Sequence, residues 1–470
     1  MKRNDLVLAY FVVVSTVLLI LLKQANVGMI FAPITFVIFA VAILFFVRTS
    51  GRAALLLVPF AVLKMSELIS VVLIEFGAKM SEVGMTGRDI GASSGLLVHD
   101  LMFFMGAMVV LRKTRKSIFI NQIGLSRFQS QVATFLAYGI CGIGLVAGVV
   151  YGFSIFSGLD RFSFRASSGN ALLGFFLSNR LVAVLLFSIL SVARGRWARR
   201  GASAGFVSLI FINILHGEQL MSTISIIITF FVVKTIAKND SQKFARKLVK
   251  IGIISLIFGF SALALSYSSQ KKDVVASVAA RTVLQGQLWY AVLASKSDPE
   301  EFKWDSIGRN VESFGLLSVD DYVETWPPVG VRELMYKFAD TSLYNSYTEN
   351  GVTFTMGTSG YLYYMFGSLG GIVAELILGV FAGAVVTMIV AAMSGSNLLL
   401  IVLSAKIYAL LMLGLQQGDF WYLFGIRSIA TGMLLWFAVL IMRRSRPLGE
   451  FGNIRRSNFY GKKKQFGSLN

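Results

Sequence analysis

Along the chain, apolar residues gather into blocks of roughly twenty, separated by short polar and basic runs. A helix rises ~1.5 Å per residue, so about 18–20 such residues cross a hydrocarbon core of about 30 Å. Twelve blocks are read as spans, at residues 5–22, 28–47, 55–77, 95–111, 133–156, 172–192, 202–215, 220–233, 251–268, 370–393, 398–415 and 420–442. The seventh and eighth are short and predict a hairpin turning at His216-Gly217-Glu218-Gln219. The expected fold is an all-α polytopic membrane protein of about 12 transmembrane helices.

Orientation follows from the basic residues, because short loops rich in Lys and Arg resist translocation. Alternate connections carry Arg48 and Arg52, then Arg112 to Lys116, then Arg194 to Arg200, then Lys238 to Lys250, and the tail adds Arg443 to Lys464. Those faces are expected to be cytoplasmic, with both termini inside and the first span a retained anchor. Residues 1–268 then hold nine helices, 269–369 a large outer loop with short helices, 370–442 three further helices and 443–470 a basic cytoplasmic tail. The loop opens on an amphipathic candidate helix at 274–295, is broken at Trp326-Pro327-Pro328, and ends in the hydroxyl- and glycine-rich run 344–360.

Composition sharpens this picture. Of 470 residues, 56% are hydrophobic and 14% charged, and the mean hydropathy is +0.71. A soluble domain is about 45–50% apolar and ~25% charged, so a soluble enzyme, a disordered chain and a secreted disulfide scaffold are excluded. The net charge of +20 lies in the loops, where it reads as an orientation signal and a match to anionic lipid headgroups, with no nucleic-acid partner. One Cys and two His leave too few ligands for a zinc site of the usual type, and no metal or cofactor is expected. No G-x-x-x-x-G-K-[ST] loop, H-E-x-x-H pair or G-x-S-x-G elbow occurs.

What remains is a set of cations on the expected outer side. Arg161 and Arg165 follow the fifth span, while Arg281 and Arg332 lie in the long loop. Arg180 and Arg427 fall inside apolar spans, at a depth of roughly 10 Å. An arginine there costs at least ~2.5–3.5 kcal/mol to insert, so it needs a partner or a wet cavity. Guanidinium groups grip phosphate oxygens bidentately, which makes an anion site one reading; snorkelling, or pairing with Glu375 or Glu75, is the other. Lys64 and Glu67, spaced i, i+3, are expected to neutralise each other, and His99-Asp100 to form a local cap or surface contact. Lys406 fits either role. His216 and Glu218 at the hairpin tip are candidate general bases, with a solvated turn as the alternative.

The pattern of many spans, a polar mid-chain hairpin, an arginine-bearing loop before it and one large late outer loop resembles the Wzy-type O-antigen polymerases. The run 354–375 (FTMGTSGYLYYMFGSLGGIVAE) and the run 280–290 (ARTVLQGQLWY) look like segments of that family. The resemblance implies a GT-C-like, metal-independent glycosyltransferase at the periplasmic face of a bacterial inner membrane. It would transfer one undecaprenyl-diphosphate-linked glycan onto another lipid-linked repeat unit, with a chain-length regulator as a further partner. The family's arginines would correspond to Arg161 with Arg165 and to Arg281, whereas Arg332 matches no motif. Arg180 and Arg427 join the diphosphate set on their depth, and Trp289, Tyr290, Tyr361, Tyr363 and Tyr364 are suited to sugar faces. An O-antigen ligase, differing in its acceptor, and a lipid-linked glycan flippase are the competing readings.

Overall fold

A computed structural model describes residues 28–50, 52–114, 125–157, 164, 171–192, 195–217, 220–238, 280–295, 302–312, 328–349, 354, 357–418 and 420–445. Its helices are α1 (Gly28–Ser50), α2 (Val58–Glu75), α3 (Ala92–Thr114), α4 (Arg127–Tyr151), α5 (Ala171–Leu190), α6 (Arg196–Leu215) and α7 (Leu220–Lys238). They continue as α8 (Gln287–Ala294), α9 (Trp304–Glu312), α10 (Val331–Phe338), α11 (Thr341–Glu349), α12 (Thr358–Ser394), α13 (Leu398–Gln417) and α14 (Ile426–Ser445). One short antiparallel pair, β1 (Lys79–Met80) and β2 (Met85–Thr86), follows α2, with Lys79 opposite Thr86.

Among the described residues six helices are long and apolar enough to cross a membrane: Ala53–Glu75, Ala92–Arg112, Arg127–Phe156, Ala171–Leu190, Thr358–Ser394 and Leu398–Gln416. Three shorter apolar stretches, Pro33–Val47, Ser222–Ile236 and Ser428–Ile441, fall where further spans are expected. The first and ninth expected spans lie outside the described residues, and α6 opens on Arg196, Arg199 and Arg200, which cuts its apolar length. The chain is thus an all-α membrane protein.

Local chemistry sets the helix ends. Ser126 and Gln129 form a reciprocal capping box at the start of α4, and Asn397 accepts from the Leu400 amide at the start of α13. The tightest seam joins α3 to α12. A Cβ on Gly379 would lie 1.9 Å from the Phe103 carbonyl oxygen, and one on Gly106 would lie 2.1 Å from that of Leu376. Gly379 and Gly383 are four apart, so both face α3 and let the backbones meet.

The expected tenth span, residues 370–393, is helical, and the chain is broken three residues ahead of it. Gly367 has φ 70° and ψ −172°, a conformation open to glycine, and it interrupts α12. In an unbroken helix Ser359 and Glu375 would be about 24 Å apart. Instead Ser359 Oγ donates to Glu375 Oε1 at 2.5 Å, and a Cβ on Gly371 would lie 3.1 Å from the Tyr363 Cα. The chain therefore doubles back at Gly367, and residues 358–366 form a short helix laid against the long one.

At the end of the bundle where α2 gives way to the β-pair, the short helices build a second core around Leu288, Leu334, Met335, Phe354, Tyr361 and Trp421. This layer roofs the bundle. A 3-10 turn, Phe420–Leu423, ties it to the end of α13.

Candidate functional site

Charged side chains from three apolar helices meet inside the bundle. Lys64 Nζ donates to Asp100 Oδ1 at 2.8 Å, to Glu375 Oε1 at 3.2 Å and to Ser359 Oγ at 3.3 Å. Asp100 and Glu375 are fully buried. Three acceptors match the three hydrogens of an ammonium group, so the lysine is saturated. Glu67, one turn along α2, accepts from the Gly357 amide at the start of the short helix. A Cβ on Gly357 would overlap that carboxylate, which would have to swing aside. Glu67 Oε1, Asp100 Oδ2, Glu375 Oε2, His99 Nδ1 and Thr358 Oγ1 are buried without a hydrogen-bond partner.

This overturns two expectations. Lys64 is neutralised across helices by Asp100 and Glu375, because the fold-back at Gly367 brings Ser359 and Glu375 to it. His99-Asp100 is neither cap nor surface contact: Asp100 is in the cluster, and the His99 ring packs on Trp289 at 5.1 Å between centroids. Glu375 and Glu75 are likewise committed, Glu375 to Lys64 and Glu75 to the Ala92 and Ser93 amides that start α3.

Two cavities open beside these groups. One, a small space of about 20 Å³, is lined by Phe60, Lys64, Glu67, Gln285, Thr358 and Gln416 among others. The second, of about 50 Å³, lies between α5, α7 and α13 and is lined by Ser178, Arg180, Ser222, Ser225, Leu413 and Gln416 among others. Gln416 borders both, so the two are neighbours across one side chain. Arg180 donates to Asn213 Oδ1 at 2.9 Å, which orients the guanidinium, and Lys406 donates to the Ser178 carbonyl at 2.9 Å and to Asn179. Among the described residues no three His, Cys, Asp or Glu side chains converge as metal ligands.

The other sequence-derived residues are dispersed. Arg161, Arg165 and Glu218 lie outside the described residues, as does the side chain of Arg427 on α14. His216, the candidate general base, is buried between Phe153 and Phe176 with its Nε2 donating to the Gly144 carbonyl at 2.8 Å, so the alternative of a solvated turn does not hold for it. Gly217, which follows it, turns the chain with φ 74°. Arg281 is half-buried near Glu82, and Arg332 is buried on α10. Trp289, Tyr290 and Tyr361 are core residues, not exposed sugar platforms. Trp289 donates to the Ala92 carbonyl, Tyr290 to that of Arg88, and Tyr361 accepts from Trp421 at 2.8 Å. Tyr364 donates to Glu333, which Arg309 also holds at 3.1 Å. These rings are large enough to form the roof's core, and burial wins over ligand presentation.

Glu82, in the β-pair turn, accepts from Tyr347 at 2.8 Å and from Gln287. Burial pushes its carboxyl above the ordinary value of 4.5, with the Tyr347 bond and Arg281 opposing.

The fold and the sunken polar cluster define the class: a helical membrane protein with a buried charged cluster beneath a roof of short helices. One sequence family matches, over residues 326–431, and it is described as a family of unknown function (DUF6418). That stretch runs from the roof through the fold-back and α13, and so contains Thr358, Ser359, Glu375 and Gln416. Neither the curated proteins nor the solved structures give a match.

Proposed function

We propose that the protein is a membrane-embedded glycosyltransferase that polymerises lipid-linked glycan, as the resemblance to O-antigen polymerases implies. The single observation that carries the reading is the Arg180 cavity, a cation-bearing recess at membrane depth between three apolar helices. A polyprenyl diphosphate is an anion on an apolar tail. The Arg180 cavity offers the guanidinium and the Ser222 and Ser225 hydroxyls to the one, and helix grooves to the other.

In this reading the donor is undecaprenyl-diphosphate-linked oligosaccharide and the acceptor a second lipid-linked repeat unit. A GT-C-like bundle of about twelve spans sits in a bacterial inner membrane, with its roof in the periplasm and both termini in the cytoplasm. As the glycosidic bond breaks, charge grows on the leaving diphosphate. Arg180 stabilises it without a metal. Removing one such fixed donor costs about 10²–10³-fold in rate.

The test is the full chain in liposomes with purified lipid-linked repeat units and no ion gradient. Chain lengthening is expected, reduced at least about 10²-fold in Arg180→Ala. Full-length ladders from that variant would remove the diphosphate assignment.

A flippase is the second reading. It is favoured by the helix broken at Gly367 beside buried charges, a feature that transporters use at their binding sites. Translocation of the lipid-linked unit without lengthening would establish it instead.

A further inference from the structure

We propose that α9 is an interfacial membrane helix. Its face of Trp304, Gly308 and Val311, with the Phe302 ring beside it, seats in the lipid headgroup layer at the roof end of the bundle.

The polarity of α9 is reversed. A short helix lying over a protein in water turns its apolar side inward and its polar side out. In α9 the sides are exchanged: Ser306 and Asn310, one turn apart, are 4% and 1% exposed, whereas Trp304 is 69% exposed and Val311 is exposed with it. The polar side is engaged by the roof. Ser306 donates to Glu333, Arg309 pairs with the same carboxylate at 3.1 Å, and Asn310 Oδ1 accepts from the Gly330 amide at 3.0 Å. Positions 304, 308 and 311 fall within about 60° of one another around the helix axis, and a Cβ on Gly308 would meet nothing within 4 Å. The outward side is therefore apolar and open.

Its place in the fold says what covers it. Lys303 N–H donates to the Met365 carbonyl at 3.0 Å, which ties the start of α9 to the short helix ahead of Gly367. The Phe302 ring stacks on Trp304 at 5.3 Å between centroids, meets Phe366 edge-on at 6.0 Å and would lie 3.1 Å from a Cβ on Gly370. Beside Gly370, Leu369 begins an outward stripe on α12 that runs on through Val373 and Ile377, spaced four apart and 79%, 53% and 62% exposed. On a spanning helix such a stripe faces acyl chains. Residues 368–394 are about 40 Å long, the thickness of hydrocarbon core plus headgroups, so their roof end reaches the headgroup level. The two rings thus continue the lipid-facing surface to the depth where Trp is enriched, and where an amphipathic helix beds its apolar face. Lys303 and the exposed Lys337 lie close enough to repel each other there, and supply cations at the level of lipid phosphate.

The experiment uses the full chain in vesicles of phosphatidylethanolamine and phosphatidylglycerol. On a Cys141→Ala background, Trp304→Cys and Val311→Cys each carry a nitroxide, and Asn345→Cys, exposed on α11, gives the reference. The ratio of collision with oxygen, which concentrates in the bilayer, to collision with a water-soluble nickel chelate is expected to be at least about threefold higher at 304 and 311 than at 345. Equal ratios would place α9 in water and overturn the proposal. Low collision with both reagents at 304 and 311 would mean that a second copy or another protein covers the face, which overturns it as well. Should the cysteine variants fail to insert, the unlabelled chain decides. The fluorescence lost in Trp304→Phe is expected to be quenched about twofold more by lipid brominated near the headgroup than by lipid brominated near the chain end, and quenching by neither overturns the assignment.

Discussion

Lys64 shows how one side chain organises a membrane interior. An ammonium in hydrocarbon is tolerable only when its hydrogens are taken up, and Asp100, Glu375 and Ser359 take all three. The Phe103 ring lies 5.1 Å from the same nitrogen and adds a weaker attraction. Breaking such a buried set from one side leaves charge without a counter-charge, which costs about 3–5 kcal/mol. Lys64→Met is therefore expected to destabilise by that amount, and adding Asp100→Asn and Glu375→Gln should restore most of the loss. Unfolding of the detergent-solubilised protein measures both; a single variant as stable as wild type would mean the ion pairs are not what holds these three helices. The sequence made each of these charges conspicuous within an apolar block. Their pairing was hidden, because the i, i+3 neighbour Glu67 looked the obvious partner until the chain reversal brought Glu375 within reach.

At the scale of elements, length and hydropathy located the spans well where a helix is straight and uniformly apolar, as in α2 to α5 and α13. At α12 they placed the long helix, read as 370–393, but gave no sign of the short helix folded back ahead of it, because the apolar residues run on through Gly367. Only the backbone angle of that glycine marks the reversal. Glycine itself carries two different meanings in these helices. Gly379 in α12 faces the Phe103 carbonyl with no room for a methyl group, whereas Gly139 in α4 has nothing within 4 Å of a Cβ. Gly379→Ala should separate α3 from α12 and cost about 1–3 kcal/mol or more. Gly139→Ala should be neutral or stabilising, by up to about 1 kcal/mol, since it removes backbone freedom from an exposed helix position. Thermal midpoints of the two variants test the contrast, and equal shifts would show that the α3–α12 seam is looser than the carbonyl contact implies.

For the whole molecule, the two cores have different origins. The bundle follows from periodic apolar blocks, while the roof is assembled from Leu288, Leu334, Phe354, Tyr361 and Trp421, which are scattered over the chain and carry no pattern of their own. For the same reason its aromatic residues read as a sugar platform in the sequence and are core in the fold. Glu82 is one rivet between parts of the roof: it joins the β-pair to α8 through Gln287 and to α11 through Tyr347. Burial raises its carboxyl above 4.5, so the folded state holds that proton more tightly than the unfolded chain does. The sign follows from proton linkage. The contribution of Glu82 to stability is full below the unfolded value and is lost as pH rises through the raised one. Above that window the folded state carries a buried carboxylate whose cost Tyr347, Gln287 and Arg281 offset only in part. Glu82→Gln keeps a polar group for Tyr347 and removes the titration. Its thermal midpoint relative to wild type should therefore improve steadily as pH is raised from about 4 to about 8. A difference between the two proteins that is flat across that range would mean the roof docks without drawing on this carboxyl.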